Sequence, residues 1–92
     1  MSKAFKLGQT VATRGVADRM ATDPGFVIRS FERFTQADWG DTCSKDSQSN
    51  DLAVKNGDDR ILASYKDKNG CEIWIITEWD RSVTTILFPE DY

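Results

Sequence analysis

The pattern of apolar and polar positions predicts strands most clearly in the last third of the chain, residues 60–92. Three runs there, 61–66, 71–78 and 83–88, are rich in β-branched and aromatic residues. Asn69-Gly70 separates the first two runs and tolerates the positive φ angles of a two-residue hairpin loop. The pattern therefore predicts a three-stranded antiparallel meander.

The length of each predicted loop sets which residues face each other across the strands. A two-residue loop at Asn69-Gly70 places Tyr65 opposite Trp74, and a tight turn at Asp80-Arg81 places Trp74 opposite Leu87. One predicted face then carries Ile61, Ala63, Tyr65, Trp74, Ile76, Val83 and Leu87, and the other carries Leu62, Ile73, Ile75, Ile86 and Phe88.

Both predicted faces of this sheet are apolar, whereas a sheet with one face in water alternates apolar and polar residues. One helical layer covers only one face. The other face needs the N-terminal segment, a second subunit or another partner to cover it. We expect the face with Tyr65, Trp74 and Leu87 to stay open, because aromatic residues are enriched at interfaces.

Helical signals occupy the rest of the chain. Thr13 is a candidate cap for a short helix over residues 16–21, and Asp23-Pro24 starts a second helix that runs to about residue 35. A third helix, which is poor in apolar residues, ends at Asn56-Gly57. Residues 5–12 alternate weakly and are a candidate N-terminal strand.

The predicted fold is a single α+β domain over residues 1–92, with two or three short helices packed on the meander. Both cysteines, Cys43 and Cys71, are expected to be free thiols in a reducing compartment. The longest apolar stretch, residues 73–76, is too short to span a membrane, and residues 1–6 lack the apolar stretch of a secretory signal. These features predict a cytoplasmic protein.

The net charge is −3, but it is unevenly distributed. Residues 38–59 carry six acidic and two basic side chains, while residues 1–33 carry six basic and three acidic ones. An acidic middle disfavours a nucleic-acid groove there and permits a surface that meets a basic partner. A solvated acidic helix and loop is the simpler interpretation.

Catalytic chemistry has little support. The chain has no histidine, which removes the commonest general base and the usual zinc ligands. It has no glycine-rich phosphate loop, and carboxylates adjacent in sequence, such as Asp58 and Asp59, do not form a facing catalytic pair. We therefore predict a protein that is not an enzyme and that needs no cofactor or metal.

Two short clusters are candidate partner-binding sites. One is Asp38, Trp39 and Asp41 in a loop, and the other is Trp79, Asp80 and Arg81 at a hairpin tip. Exposed Trp and Arg on rigid turns are frequent hot spots in interfaces. In the alternative interpretation, Trp39 closes the core and Asp80 and Ser82 bind turn amides. Tyr65 and Trp74 complete the candidate set through the open sheet face.

The C-terminal third also resembles a known family. Residues 74–78 (WIITE), Asp80-Arg81-Ser82 and residues 84–92 match, with minor departures, a pattern that runs approximately WIITEADRSxTTxLLPxEY. Further matches are residues 11–13, Trp39-Gly40-Asp41, Asn50 and residues 60–65. The pattern is similar to that of small bacterial plasmid- and phage-associated proteins. Many relatives have a histidine ahead of the Trp-Gly-Asp loop, where this chain has residues 34–37 (FTQA), and Trp79 replaces a small residue.

Relatives are often labelled plasmid-related proteins or type I restriction methylase subunits. The second label does not fit, because this chain has no room for a cofactor-binding α/β domain and no Asn/Asp-Pro-Pro motif. The resemblance implies a mobile-element accessory protein that binds a host protein, in its most specific form an inhibitor of a restriction or CRISPR nuclease complex. Alternatives are a nucleic-acid-binding regulator that uses Arg14, Arg19, Arg29 and Arg33, a small-molecule site that uses Tyr65 and Trp74, and a homodimer.

Overall fold

Three helices pack against one face of a four-stranded mixed sheet in the computed structural model, which describes residues 3–92. The elements in chain order are β1 (Gln9–Ala12), α1 (Arg14–Thr22), α2 (Pro24–Thr35), α3 (Ser44–Asn56), β2 (Ile61–Lys66), β3 (Glu72–Thr77), β4 (Val83–Leu87) and a short 3-10 helix at Pro89–Asp91. The predicted α+β class is confirmed. None of the helices in residues 3–92 combines the length and apolarity needed to cross a bilayer.

The sheet is larger than the predicted meander and is not purely antiparallel. Strands β2, β3 and β4 form the expected antiparallel meander, but β1 joins the edge of β4 in parallel, which gives the order β1-β4-β3-β2. The parallel pairing joins distant parts of the chain, with Gln9 beside Val83 and Ala12 beside Ile86. Periodicity in the sequence marks a strand but not its partner.

The helix boundaries follow the local signals in the sequence. The Thr13 hydroxyl accepts a hydrogen bond from the amide of Val16 at the start of α1. Pro24 takes the first position of α2, where its missing N–H costs nothing. Gly57 ends α3 in the left-handed conformation, with φ of 70°.

The first hairpin has a longer loop than predicted, and its predicted register is wrong by one residue. The Asp67 carboxylate accepts hydrogen bonds from the amides of Asn69 and Cys71 at 2.8 and 2.9 Å. Gly70 adopts a φ of 84°, which suits a three-residue loop with a glycine bulge. Tyr65 therefore pairs with Ile73 instead of Trp74.

This shift moves the residues of β2 to the opposite side of the sheet relative to β3. The register between β3 and β4 is as predicted, with Trp74 beside Leu87. The face covered by helices carries Ile61, Ala63, Tyr65, Ile73, Ile75 and Ile86. The other side, called the open face below, carries Gln9, Val11, Leu62, Ser64, Lys66, Glu72, Trp74, Ile76, Val83, Thr85 and Leu87. Trp74 and Leu87 thus lie on the open face as expected, but Tyr65 does not.

The core forms between the covered face and the helices. The rings of Phe5, Phe34 and Trp39 contact one another there, with centroids 5.3 to 6.0 Å apart. The buried hydroxyls of Thr77 and Thr84 lie 2.7 Å apart, and Thr84 donates to the carbonyl of Leu7. This last bond fixes the segment before β1 against the C-terminal strand.

Candidate binding surface

The open face has no helical cover in the described part of the chain and combines apolar side chains with polar ones. Ile76 and Leu87 lie in its centre and are buried by their neighbours, while Leu62, Trp74 and Val83 remain half-buried. Val11 extends the surface onto β1 with 37% of its area exposed. Apolar side chains in such a continuous arrangement mark surfaces that bind other molecules.

The C-terminal end of the chain covers one part of this face. The Tyr92 ring meets the Trp74 ring edge-on, with centroids 5.6 Å apart. Arg60 donates a 2.8 Å hydrogen bond to the Tyr92 hydroxyl and holds the ring in place. Tyr92 is itself largely exposed, so it adds a second aromatic side chain to the surface.

The β2 edge of the sheet is covered by side chains and by the loop before α3. The Asn50 amide donates to the carbonyl of Leu62 at 2.8 Å and accepts from its N–H at 3.2 Å. Thr42 and Asp41 bind the amides of Ser64 and Lys66 in the same manner, each at 2.8 Å. These side chains therefore make the hydrogen bonds to β2 that a fifth strand would otherwise make.

The β1 edge has no such cover among residues 3–92. Strand β1 pairs only with β4, and all four of its residues are exposed. Charged side chains on an edge strand usually keep other strands from pairing with it, and β1 has none. The open face therefore ends at an edge that can accept an added strand.

An acidic rim borders the open face beside Trp74. A shallow cavity of about 240 Å³ there is lined by Trp74, by the carboxylate-bearing residues Asp41, Asp46 and Glu72, and by one cation, Lys66. Glu72 accepts hydrogen bonds from the Ser64 hydroxyl at 2.6 Å and from the Trp74 indole at 3.0 Å. These two bonds hold the pKa of Glu72 below its usual value and fix the orientation of the indole.

The first predicted cluster does not form a single exposed site. Trp39 is 6% exposed in the core and donates to Asp51 at 2.8 Å, so it offers no contact surface and the core interpretation is confirmed. Asp38 is exposed and forms a two-point ion pair with Arg33 at 2.9 and 3.1 Å, which lowers the pKa of Asp38. Asp41 binds the β2 edge and also lies in the acidic rim.

Tyr65 is fully buried beneath Arg33 on the covered face, which corrects its predicted place in a contact surface. Its hydroxyl donates to the Asp38 carbonyl at 2.7 Å. Burial raises the pKa of this hydroxyl, so Tyr65 remains a neutral donor. The one-residue register shift is the reason that Tyr65 and Trp74 lie on opposite faces.

The second cluster is mainly structural. The Asp80 carboxylate accepts from the amide and the hydroxyl of Ser82 at 3.0 and 2.6 Å, as the turn interpretation predicts. Arg81 donates to the carbonyls of Asp59 and Ala53 at 2.6 and 2.9 Å and so ties the β3–β4 turn to the end of α3. Trp79 alone is free for contact, with 64% of its area exposed.

Two apolar residues of the open face, Val11 and Leu62, were not predicted to lie on it. The alternation of residues along β2 places Leu62 on the open face when the first hairpin loop has three residues, but not when it has two. Asp67 is the cue for that loop, because Asp at this position binds the turn amides.

Comparison with known proteins adds no functional assignment. No protein-family model, curated protein or solved structure matches this chain. Within residues 3–92 there is also no group of three or more Cys, Asp or Glu side chains arranged to hold a metal ion. The surfaces described above are the features of the chain that bear on its function.

Protonation of Glu72 is expected to lower stability at acid pH. The folded-state pKa of Glu72 lies below the unfolded value of about 4.5, so the unfolded chain binds more protons as the pH falls. The stabilisation is complete above the unfolded pKa and is lost as the pH falls through the folded pKa. Urea unfolding of wild type and Glu72→Gln from about pH 6 to about pH 3 measures this.

We expect a smaller loss of stability over that range in Glu72→Gln than in wild type. Glu32→Gln is the matched control, because the Glu32 carboxylate makes no hydrogen bond with another described residue. A Glu72→Gln curve parallel to that of wild type would contradict the prediction.

Proposed function

We propose that this chain is a non-enzymatic protein-binding module of a mobile genetic element, and that it inhibits a host defence nuclease complex of the restriction or CRISPR type. Two observations support the proposal. The C-terminal pattern resembles plasmid- and phage-associated proteins, and the open face presents apolar and aromatic side chains without a helical cover. The open face is the observation that carries the binding function.

The charges around the open face indicate the chemistry of the partner. Asp41, Asp46 and Glu72 outnumber Lys66 beside Trp74, so a basic side chain of the partner would meet net negative charge and an aromatic ring together. Nuclease complexes carry basic surfaces because they bind nucleic-acid phosphates. An acidic rim beside an apolar face suits competition for such a surface.

The nucleic-acid-binding alternative has less support. It requires one patch made of Arg14, Arg19, Arg29 and Arg33. Arg19 instead forms ion pairs with Asp23 and Asp67, and Arg33 pairs with Asp38. Two of the four proposed cations, Arg19 and Arg33, are therefore already paired with carboxylates.

The small-molecule alternative required Tyr65 and Trp74 to form one ligand platform. These residues lie on opposite faces of the sheet, since Trp74 pairs with Ser64 and Tyr65 pairs with Ile73. That platform does not exist in this fold.

A phage-plating assay tests the proposal in bacteria with an active restriction or CRISPR system. We expect the wild-type chain to raise plating efficiency and the open-face variants Val11→Arg and Thr85→Arg to lose this effect. Val11 and Thr85 are paired neighbours on β1 and β4. The matched controls Ile28→Arg and Leu52→Arg replace apolar residues of α2 and α3 that are 47% and 59% exposed, and they should behave as wild type.

A purified nuclease complex then distinguishes binding from catalysis. A binding inhibitor should block DNA cleavage only at a fixed molar ratio of this chain to the nuclease complex. An enzyme would inactivate the complex at a far lower molar ratio. Equal loss of activity in open-face and control variants, or inhibition at catalytic amounts, would contradict the proposal. Sedimentation of wild type and Val11→Arg reports separately whether a second copy of the chain occupies the face.

A further inference from the structure

A cleft of about 430 Å³ lies on the helical side of the molecule, between α2 and the β2–β3 loop. Phe26, Arg29, Ser30 and Arg33 line it from α2. Their spacing of three, four and seven residues from Phe26 places them on one helix face. Lys68 lines the cleft from the loop.

Most of the basic side chains that line this cleft have no carboxylate partner within residues 3–92, whereas both of its carboxylates are paired with an arginine. The side chains of Arg29, Lys66 and Lys68 form no hydrogen bond or ion pair with another described residue. Arg33 binds Asp38 through Nε and Nη2, so its Nη1 group is not used in that pair. With Lys66, which also lines it, the cleft has four basic side chains with unused donors.

Both carboxylates that line the cleft are already bound by Arg19. Asp23 and Asp67 lie 3.5 and 3.1 Å from its Nη2 atom. Asp67 also accepts the two turn amides, and these amides together with Arg19 lower its pKa. The remaining cleft charge is positive in a chain whose net charge is −3.

Ser30 supplies a neutral donor in the same place. It is 3% exposed, and its hydroxyl makes no hydrogen bond with another described residue. No fully enclosed side-chain oxygen or nitrogen in residues 3–92 lacks a partner. The Ser30 hydroxyl must therefore retain access to the cleft that the residue lines.

We propose that this cleft binds the phosphate group of a small phosphate monoester. Arg29, Lys68 and the free Nη1 of Arg33 supply charged donors, and the Ser30 hydroxyl supplies a neutral one. A phosphate dianion uses several donors at once, and Phe26 adds apolar contact for the rest of the ligand. A nucleic acid suits the cleft less well, because the chain as a whole has a net charge of −3 and repels an extended phosphate chain.

Backbone amide NMR of the full chain tests this proposal with inorganic phosphate, adenosine monophosphate and a short single-stranded oligonucleotide as probes. We expect saturable shifts at α2 and at residues 67–71 with both small probes. Arg29→Gln combined with Lys68→Gln should weaken binding by about tenfold or more. Ser30→Ala should also weaken it, and the amide spectrum verifies that each variant is folded.

Lys45→Gln is the matched control, because Lys45 is an exposed cation of α3 outside the cleft, and it should leave affinity unchanged. Three outcomes would overturn the proposal. They are no saturable shift in the cleft, an equal loss of affinity in Lys45→Gln, and an affinity that rises with oligonucleotide length, which would assign the cleft to nucleic acid. The open-face variants should bind phosphate as wild type does, so the two proposals fail independently.

Discussion

Replacing Gly8 by alanine is expected to lower the free energy of unfolding by about 3 kcal/mol. Gly8 has a φ of +64° just before β1, and a Cβ atom there would overlap the backbone carbonyls of Arg81 and Ser82. Backbone atoms in a paired turn cannot move aside as a flexible side chain can. The substitution should therefore separate β1 from β4, and urea unfolding with amide hydrogen exchange would measure both effects.

Gly57→Ala is the matched control for this prediction. Gly57 has a similar φ of +70°, but nothing lies within 4 Å of its added Cβ. Gly57→Ala should therefore lower the free energy of unfolding by about 1 kcal/mol, through the strain of the left-handed conformation alone. If Gly8→Ala and Gly57→Ala lowered the free energy of unfolding equally, the close approach of the chain before β1 to the β3–β4 turn would have no effect on stability.

Asn50→Ala is expected to cost about 2 kcal/mol or more, which is large for a polar residue on a helix. The Asn50 side-chain amide makes the two hydrogen bonds to Leu62 that a neighbouring strand would make. Its loss leaves the backbone N–H and C=O of Leu62 without these partners. Asn50→Asp keeps the acceptor but sets a carboxylate against the Leu62 carbonyl, so it should be at least as destabilising at neutral pH. Chemical denaturation at fixed pH measures both variants.

Asn56→Ala provides the comparison on the same helix. Asn56 is exposed at the last position of α3, so its truncation should change stability by less than about 0.5 kcal/mol. If Asn50→Ala behaved like Asn56→Ala, the cover on the β2 edge would have no energetic role.

Local signals in the sequence predicted most elements of the fold. The Thr13 cap, Pro24 and Gly57 marked helix ends correctly because each acts through its own backbone neighbours. The β3–β4 register was also predicted correctly from loop length. These features need no knowledge of distant contacts.

Features that depend on a competing or distant contact were missed. Asn69-Gly70 favours a two-residue loop, but the Asp67 carboxylate binds two amides and stabilises a longer one. That single residue reversed the side on which β2 presents its side chains, so Tyr65 was assigned to the wrong surface. The partner of β1 was also out of reach, because parallel pairing with β4 leaves no mark in the local pattern.

The pairing of β1 with β4 has a consequence for how the protein is made. The Thr84 hydroxyl binds the Leu7 carbonyl across 77 residues of chain, so Thr84 is synthesised long after Leu7. A ribosome-bound chain can form α1 and α2 early, but its first strand has no neighbour until β4 has emerged. Completion of the sheet is therefore a late, non-local step, and folding should be slower than for a helical protein of this size.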